Sequence, residues 1–184
     1  MLISSTISYL EMKNPAELRE KQAPRDGLDV VPITLPQPEL NRFFYCTVGG
    51  DWYWINRLDW TYSQWSNYVN RPELQTWIVT VDRVPAGYFE LELQPGDDLE
   101  IVYFGLLPAY VEQGIGGWAL SEAVKRAWAT GAKRVWMHTC TLDHPRALAN
   151  YLARGFRKFK EETSVEDLPE KSPGPWPGAR KTGD

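Results

Sequence analysis

The sequence predicts an α+β fold with a mixed, mostly antiparallel central sheet flanked by helices. Three observations carry this. Helical patterns come first, over 40–48 and 62–69. Two strand patterns then follow with only a short turn between them, at 76–81 and 86–93, which is an antiparallel meander. From Leu99 onward strand, helix, strand, helix and strand alternate, and such crossovers place parallel neighbours in a sheet.

Each element has a local reason. Ile7 to Met12 reads as a short strand, stopped by Asn14-Pro15. Residues 15–38 hold five prolines and many charges and read as mostly loop, with a turn of helix at Ala16 to Lys21. Leu40 to Val48 is helical and ends at Gly49-Gly50. An aromatic region spans 43–68, and within it Thr61 can cap a helix from Tyr62 to Val69 that Arg71-Pro72 terminates. Asp82-Arg83 turns the first strand of the meander into the second, where Phe89, Leu91 and Leu93 alternate with Tyr88, Glu90 and Glu92. Pro95-Gly96-Asp97-Asp98 turns again. Leu99 to Leu107 is almost wholly apolar, as suits a strand buried on both faces.

Pro108 breaks that strand, and Gly114, Gly116 and Gly117 lead into a helix. Its stripe is Leu120, Ala123, Val124, Ala127 and Trp128, with Glu122 and Arg126 paired on the other side and Gly131 as its stop. Arg134 to Thr139 is a strand. Asp143 or His144 can cap the next helix, with Pro145 near its first turn and Ala147, Leu148, Tyr151 and Leu152 on one face. Gly155 ends it and a last strand starts at Phe156. The tail from Ser164 is polar, with four prolines, and reads as an arm, so the expected organisation is one domain over 1–163 and a tail over 164–184.

The chain of 184 residues is long enough for one domain with a sizeable core. Its net charge of −4 hides a split: residues 1–112 carry 8 Lys/Arg against 16 Asp/Glu, and residues 113–160 carry 9 against 2. Such a split can steer a polyanion to one side of a cleft and a cation to the other. An acidic chain without a basic run argues against nucleic acid. No run approaches the roughly 18–20 apolar residues of a membrane helix, and the N-terminus lacks a signal-peptide pattern. Cys46 and Cys140 make no disulfide framework or metal spacing, so the expectation is a cytoplasmic protein with both thiols reduced, no metal and no membrane partner. A homodimer is compatible with the sequence.

Strand, glycine-rich turn and helix N-terminus together form a phosphate-holding arrangement: backbone N–H groups face the anion, glycines let it approach, and the helix dipole adds favourable charge. Residues 99–156 resemble the acetyl-CoA-binding core of the GNAT superfamily of N-acetyltransferases. The usual signature is Arg/Gln-x-x-Gly-x-Gly/Ala, and this chain has Val111-Glu112-Gln113-Gly114-Ile115-Gly116, so Val111 stands at the Arg/Gln position. That departure removes a side chain and leaves the backbone donors. A second signature, an Ala and then Tyr-x-x-x-Gly-Phe, is matched by Ala147 and by Tyr151 to Phe156; the Asn that often opens that helix is His144 here. The resemblance implies acetyl-CoA as cosubstrate, held around Leu106, Leu107, Gln113, Gly114, Ile115, Gly116, Gly117, Trp118 and Tyr151. It also implies that Tyr151 places a hydroxyl near the coenzyme sulfur as general acid.

Acyl transfer from a thioester to an amine needs a base for the amine proton, donors for the oxyanion and a proton for the leaving thiolate. Glu100 lies 14 residues before Gly114 on the central strand, a register similar to the glutamate base of the histone-acetylating branch of the superfamily. Burial among apolar neighbours would raise its pKa towards neutrality; alternatively it is solvated beside the preceding turn. Glu90 and Glu92 could also face the cleft, and many members use only ordered water. His138 reads as a strand residue near the cleft, His138 and His144 show no triad or metal pattern, and nothing in the sequence marks Cys140 as a nucleophile. Of the aromatics over 43–68 most read as core, with two or three lining a pocket for an apolar or cationic acceptor. The reading is an N-acetyltransferase acting on a primary amine of a small molecule or peptide by direct transfer. The alternative is a non-catalytic acyl-CoA-binding sensor or interaction module.

Overall fold

The computed structural model describes residues 1–179. Its strands are β1 (Leu2–Met12), β2 (Leu28–Pro32), β3 (Leu74–Val81), β4 (Val84–Gln94), β5 (Asp98–Leu106), β6 (Arg134–Cys140) and β7 (Arg157–Asp167). Its α-helices are α1 (Pro38–Gly49), α2 (Tyr62–Val69), α3 (Ile115–Ala129) and α4 (Ala147–Ala153). The strands form one sheet in the order β2-β3-β4-β5-β6-β1-β7. Every neighbouring pair is antiparallel except β5 with β6.

Alternation along the strands sends side chains to two layers of helix. Phe89 and Leu91 of β4 and Leu99 and Ile101 of β5 join Leu120, Val124 and Ala127 of α3 and Tyr151 of α4 in the largest core cluster. Tyr88 and Tyr103, on the other face, pack with Phe44 and Val48 of α1 or with Tyr45, Trp65 and Tyr68. The inward stripe of α1 is Asn41, Phe44, Tyr45 and Val48. Asn41 is a polar member of that stripe because Thr76 Oγ1 and Glu90 Oε1 lie beneath it, each accepting from Asn41 Nδ2 at 2.8 Å. α2 opens on a capping box in which Thr61 Oγ1 accepts from Gln64 N and Gln64 Oε1 accepts from Thr61 N. The β3–β4 hairpin turns in two residues, Asp82 and Arg83, both at positive φ (49° and 69°), so that its twist matches the strands.

Four expectations need correction. The strand expected over 7–12 begins at Leu2 and is not peripheral: it pairs β6 on one side and β7 on the other. Its first half, Ser4-Ser5-Thr6, is polar because it faces an equally polar partner, with Thr6 and Thr163 hydroxyls 2.9 Å apart. β2 lies inside the proline-rich stretch read as loop; it is an edge strand, and edges tolerate Pro32. The tail expected from Ser164 starts instead as the end of β7, a strand exposed along its whole length, which removes the apolar alternation that marks strands. Residues 168–179 then dock on the α1–α2 connection: Ser172 Oγ donates to Gly50 O (2.8 Å) and Tyr53 Oη donates to Glu170 O (3.1 Å). Residues 180–184 of that expected tail lie outside the described residues. Finally, neither Asp143 nor His144 caps α4, whose N-cap is Arg146 without a side-chain bond. The Asp143 carboxylate is engaged elsewhere, accepting from Thr139 Oγ1, Cys140 N and Trp54 Nε1.

Candidate active site

The parallel ladder between β5 and β6 is short. It joins Asp98 to Arg134, Leu99 to Val135 and Glu100 to Trp136, and then stops. One cause is visible on β5, where a bulge against β4 pairs Glu90 with Tyr103 and Leu91 with Ile101, leaving Val102 as the extra residue. Bulges bend a strand and increase its local twist. Beyond Glu100 the two strands part, and a cavity of about 570 Å³ opens between them, with Ile101 to Leu106 on one wall and Met137, His138 and Cys140 on the other. Among the described residues the β6-facing backbone of β5 over that stretch has no sheet partner, so its donors and acceptors face the cavity.

At the α3/α4 end the cavity reaches Gly114, Gly116 and Gly117. The chain approaches α3 through Glu112 at φ 65° and Gly114 at φ 78°, and Gly114 is the N-cap without a side-chain bond. The N-cap therefore offers no side chain to compete for the first-turn amides. Gly117 permits close approach: a β-carbon there would fall 2.6 Å from Lys21 Cδ and 2.7 Å from Arg154 Nη1. Tyr151 lines the same cavity and packs edge-on against Phe104 at 6.2 Å between ring centroids. Burial, reinforced by the Asp143 carboxylate, holds the Tyr151 phenol far above its ordinary pKa, so it keeps its proton through neutral pH.

The other end is lined by Tyr45, Trp52, Tyr53, Trp54 and Ile55 of the α1–α2 region, with Glu166 and Leu168 from the chain's last segment. Glu100 sits at the edge of this end. It is 8 % exposed, its Oε2 accepts from Gln94 Nε2 (2.9 Å), and its Oε1 lies 3.3 Å from His138 Nδ1. Glu100 does not itself line the cavity; His138 does. Glu90 is sealed under α1 and α2, where burial pushes its carboxyl upward against the bonds from Tyr68 and Asn41. Glu92 is bound by Arg71 Nη2 at 2.6 Å. Cys140 lines the cavity, but burial and then Asp143 push its thiol up, away from the thiolate a nucleophile needs.

Of the residues singled out for a cosubstrate, Leu106, Gly114, Gly116, Gly117 and Tyr151 line the cavity, and Leu107, Gln113, Ile115 and Trp118 do not. Ile115 and Trp118 point into the core, 0 % and 8 % exposed, where both join the cluster beneath α3. Leu107 packs with the α1 group, and Gln113 Nε2 ties the turn together by donating to Ala109 O (2.6 Å). What these four can offer a ligand is backbone. Sequence reasoning missed Lys21, Arg146 and Asn150 as lining residues. Arg146 and Asn150 fall in and beside the helix with the second signature; Lys21 had no local signal.

The sequence model described as the acetyltransferase (GNAT) family matches residues 38–156. No curated protein matches the chain. Among solved structures, it is similar to a GCN5-related N-acetyltransferase from Kribbella flavida (17 % identity, TM-score 0.63, 89 % of this chain and 58 % of that one). It is also similar to one from Sphaerobacter thermophilus (14 %, TM-score 0.63, 88 % and 51 %). A third similar structure is an aminoglycoside acetyltransferase from an uncultured soil metagenomic sample, crystallised with trehalose (12 %, TM-score 0.59, 72 % and 90 %). The chain thus spans little more than half the length of the first two, and at these identities the likeness is one of fold.

Proposed function

The chain belongs to the GNAT acetyltransferase family, and we propose that it transfers an acetyl group from acetyl-CoA to a primary amine by direct attack. The observation that carries this is the cavity running through the sheet where β5 and β6 part. It has a glycine turn and first-turn amides at one end and a carboxylate–imidazole pair with aromatic walls at the other. Such a passage suits a long, thin thioester whose phosphates stay at the helix terminus while the acetyl group reaches the far side. An extended amide-bearing arm can bond the β6-facing backbone of β5 between Ile101 and Leu106.

In this reading the neutral amine attacks, and as its nitrogen bonds to carbon the proton it sheds passes to His138, whose Nδ1 is oriented by Glu100; Glu100 is thus a positioning residue and not the direct base. The amine nitrogen attacks the thioester carbonyl carbon, and the C–N bond forms. The C–S bond then breaks, and the departing sulfur takes the Tyr151 proton, which burial keeps on the phenol at neutral pH. The aromatic walls suit an acceptor with an apolar body, and the nearby carboxylates favour a cation.

The test is an amine-library screen for coenzyme thiol release, run beside calorimetry with acetyl-CoA. Turnover with a primary amine is the expected result. Tight acetyl-CoA binding with no turnover across the library would assign the chain to the non-catalytic sensor, and absence of binding by the folded protein would overturn the acyl-CoA reading altogether.

A further inference from the structure

Val111 stands where the family signature has a cationic or amide side chain, yet the cavity end beside it is not without a cation. The segment between β1 and β2 crosses over the α3–α4 face. It is pinned there by Arg19 N donating to Arg154 O (2.8 Å) and by Lys21 N donating to Ser121 Oγ (2.9 Å). Ser121 Oγ in turn donates to Gly117 O (3.0 Å). This fixes the Lys21 backbone against the first turns of α3. Its side chain runs across Gly117, whose missing β-carbon makes the room, and its Nζ comes within 3.9 Å of the β-carbon position at Gly114.

Most of the surrounding charges are already matched, and Arg154, whose Nη1 also reaches the Gly117 β-carbon position, does not line the cavity. Glu20 pairs with Lys125, Glu17 with Arg157 and Glu112 with Arg146. Among the described residues Lys21 has no ion-pair partner, although it lines the cavity. An ammonium held over first-turn amides, with no carboxylate of its own, is a phosphate ligand in geometry and in charge.

We infer that Lys21, supplied by the segment between β1 and β2, is the side-chain cation that binds the phosphates of the acyl donor, in place of the one that Val111 cannot provide. The inference rests on the acyl-CoA reading above. It makes the crossing segment part of the donor site, and it makes the chain select a donor with phosphates over the bare pantetheine thioester.

The test measures binding of acetyl-CoA and of S-acetylpantetheine, the same arm without phosphates, to the full chain and to Lys21→Met, which keeps the side-chain stem. Acetyl-CoA should bind about tenfold more weakly to Lys21→Met, in keeping with the loss of one charged hydrogen bond. S-acetylpantetheine should not distinguish the two proteins, and Lys21→Arg should restore most of the loss. The salt dependence of acetyl-CoA affinity should also become shallower in Lys21→Met. Unchanged acetyl-CoA affinity in Lys21→Met would overturn the inference while leaving the acyl-CoA reading in place. An equal loss for both ligands would reduce Lys21 to packing. If the unsubstituted protein, shown folded by its circular dichroism melt, binds neither thioester, both the inference and the reading it rests on fall.

Discussion

The two ends of the cavity are built in opposite ways. The glycine-turn end comes largely from one continuous stretch, the end of β5 through α4, and its geometry follows from local rules: a positive-φ glycine, an uncapped helix start and a tyrosine on the inward stripe of α4. The aromatic end is assembled from pieces scattered along the chain: Tyr45, Trp52 to Ile55, Tyr103, His138 and Leu168. A ligand bound at the first end meets mostly backbone; one bound at the second meets side chains. The glycine end should therefore govern affinity for the donor, and the aromatic end rate and acceptor choice.

Tyr151 belongs to the glycine-turn end, yet in the proposed transfer it gives its proton to the leaving sulfur, so it should show the largest effect. Tyr151→Phe is expected to lower kcat by about 10²–10⁴-fold, the usual range for a lost general acid, with acetyl-CoA affinity nearly unchanged. Turnover at the unsubstituted rate would make Tyr151 a packing residue against Phe104. Glu100→Gln comes next, with a loss in kcat on the order of 10²-fold and a changed pH profile of kcat/KM, because the neutral amide cannot stabilise the positive charge that His138 gains with the proton. A shift confined to the KM for acetyl-CoA would place Glu100 with the donor end instead.

At the donor end, Gly117→Val puts branched carbon where Lys21 Cδ and Arg154 Nη1 already lie, 2.6 and 2.7 Å from the β-carbon position. Acetyl-CoA affinity is expected to drop by roughly tenfold or more with kcat at saturating donor little altered. A variant that keeps its affinity, with circular dichroism showing an intact fold, would mean that neither Lys21 nor the close backbone approach matters to the ligand.

This contrast also marks what the sequence could reveal. α3, whose C-cap Thr130 is followed by Gly131 at positive φ, the β3–β4 hairpin and α2 with its Thr61 cap are decided by neighbours within a few residues, and they stand where the pattern puts them. β1 and β7 pair with each other across the whole chain; β7 is polar along most of its length and β1 is polar over Ser4 to Thr6, so neither carries a local mark of its full length. Lys21 belongs by position to the acidic half of the sequence and by location to the basic end of the cavity. Only the bonds of its segment to Ser121 and Arg154 bring it there. Glu100 was legible as a carboxylate near the site, whereas its contact with His138 depends on two strands pairing in parallel for three residues and then separating.

The smallest expected effect concerns a carboxyl group that is buried away from the cavity. Glu90 is 1 % exposed, beneath α1 and α2, with Asn41 Nδ2 and the Tyr68 hydroxyl donating to it and Arg57 attracting it from further away. Burial outweighs these and raises its pKa in the fold above the ordinary glutamate value near ~4.3. The folded chain therefore holds a proton on Glu90 at pH values where the unfolded chain has released it. The stability this gives is complete below the ordinary glutamate pKa and is lost as pH rises through the raised one. Within that window each pH unit removes at most about 1.4 kcal/mol. Glu90→Gln cannot titrate, so the stability of the natural chain relative to this variant should decline as pH rises across the window and level off above it. Paired urea unfolding series at successive pH values measure this difference directly, and the lowered carboxyls of Glu11 and Glu122, present in both proteins, cancel from it. Curves that stay parallel throughout would show that Asn41, Tyr68 and Arg57 together hold Glu90 ionised in the fold, and that the aromatic end carries a buried anion rather than a buried acid.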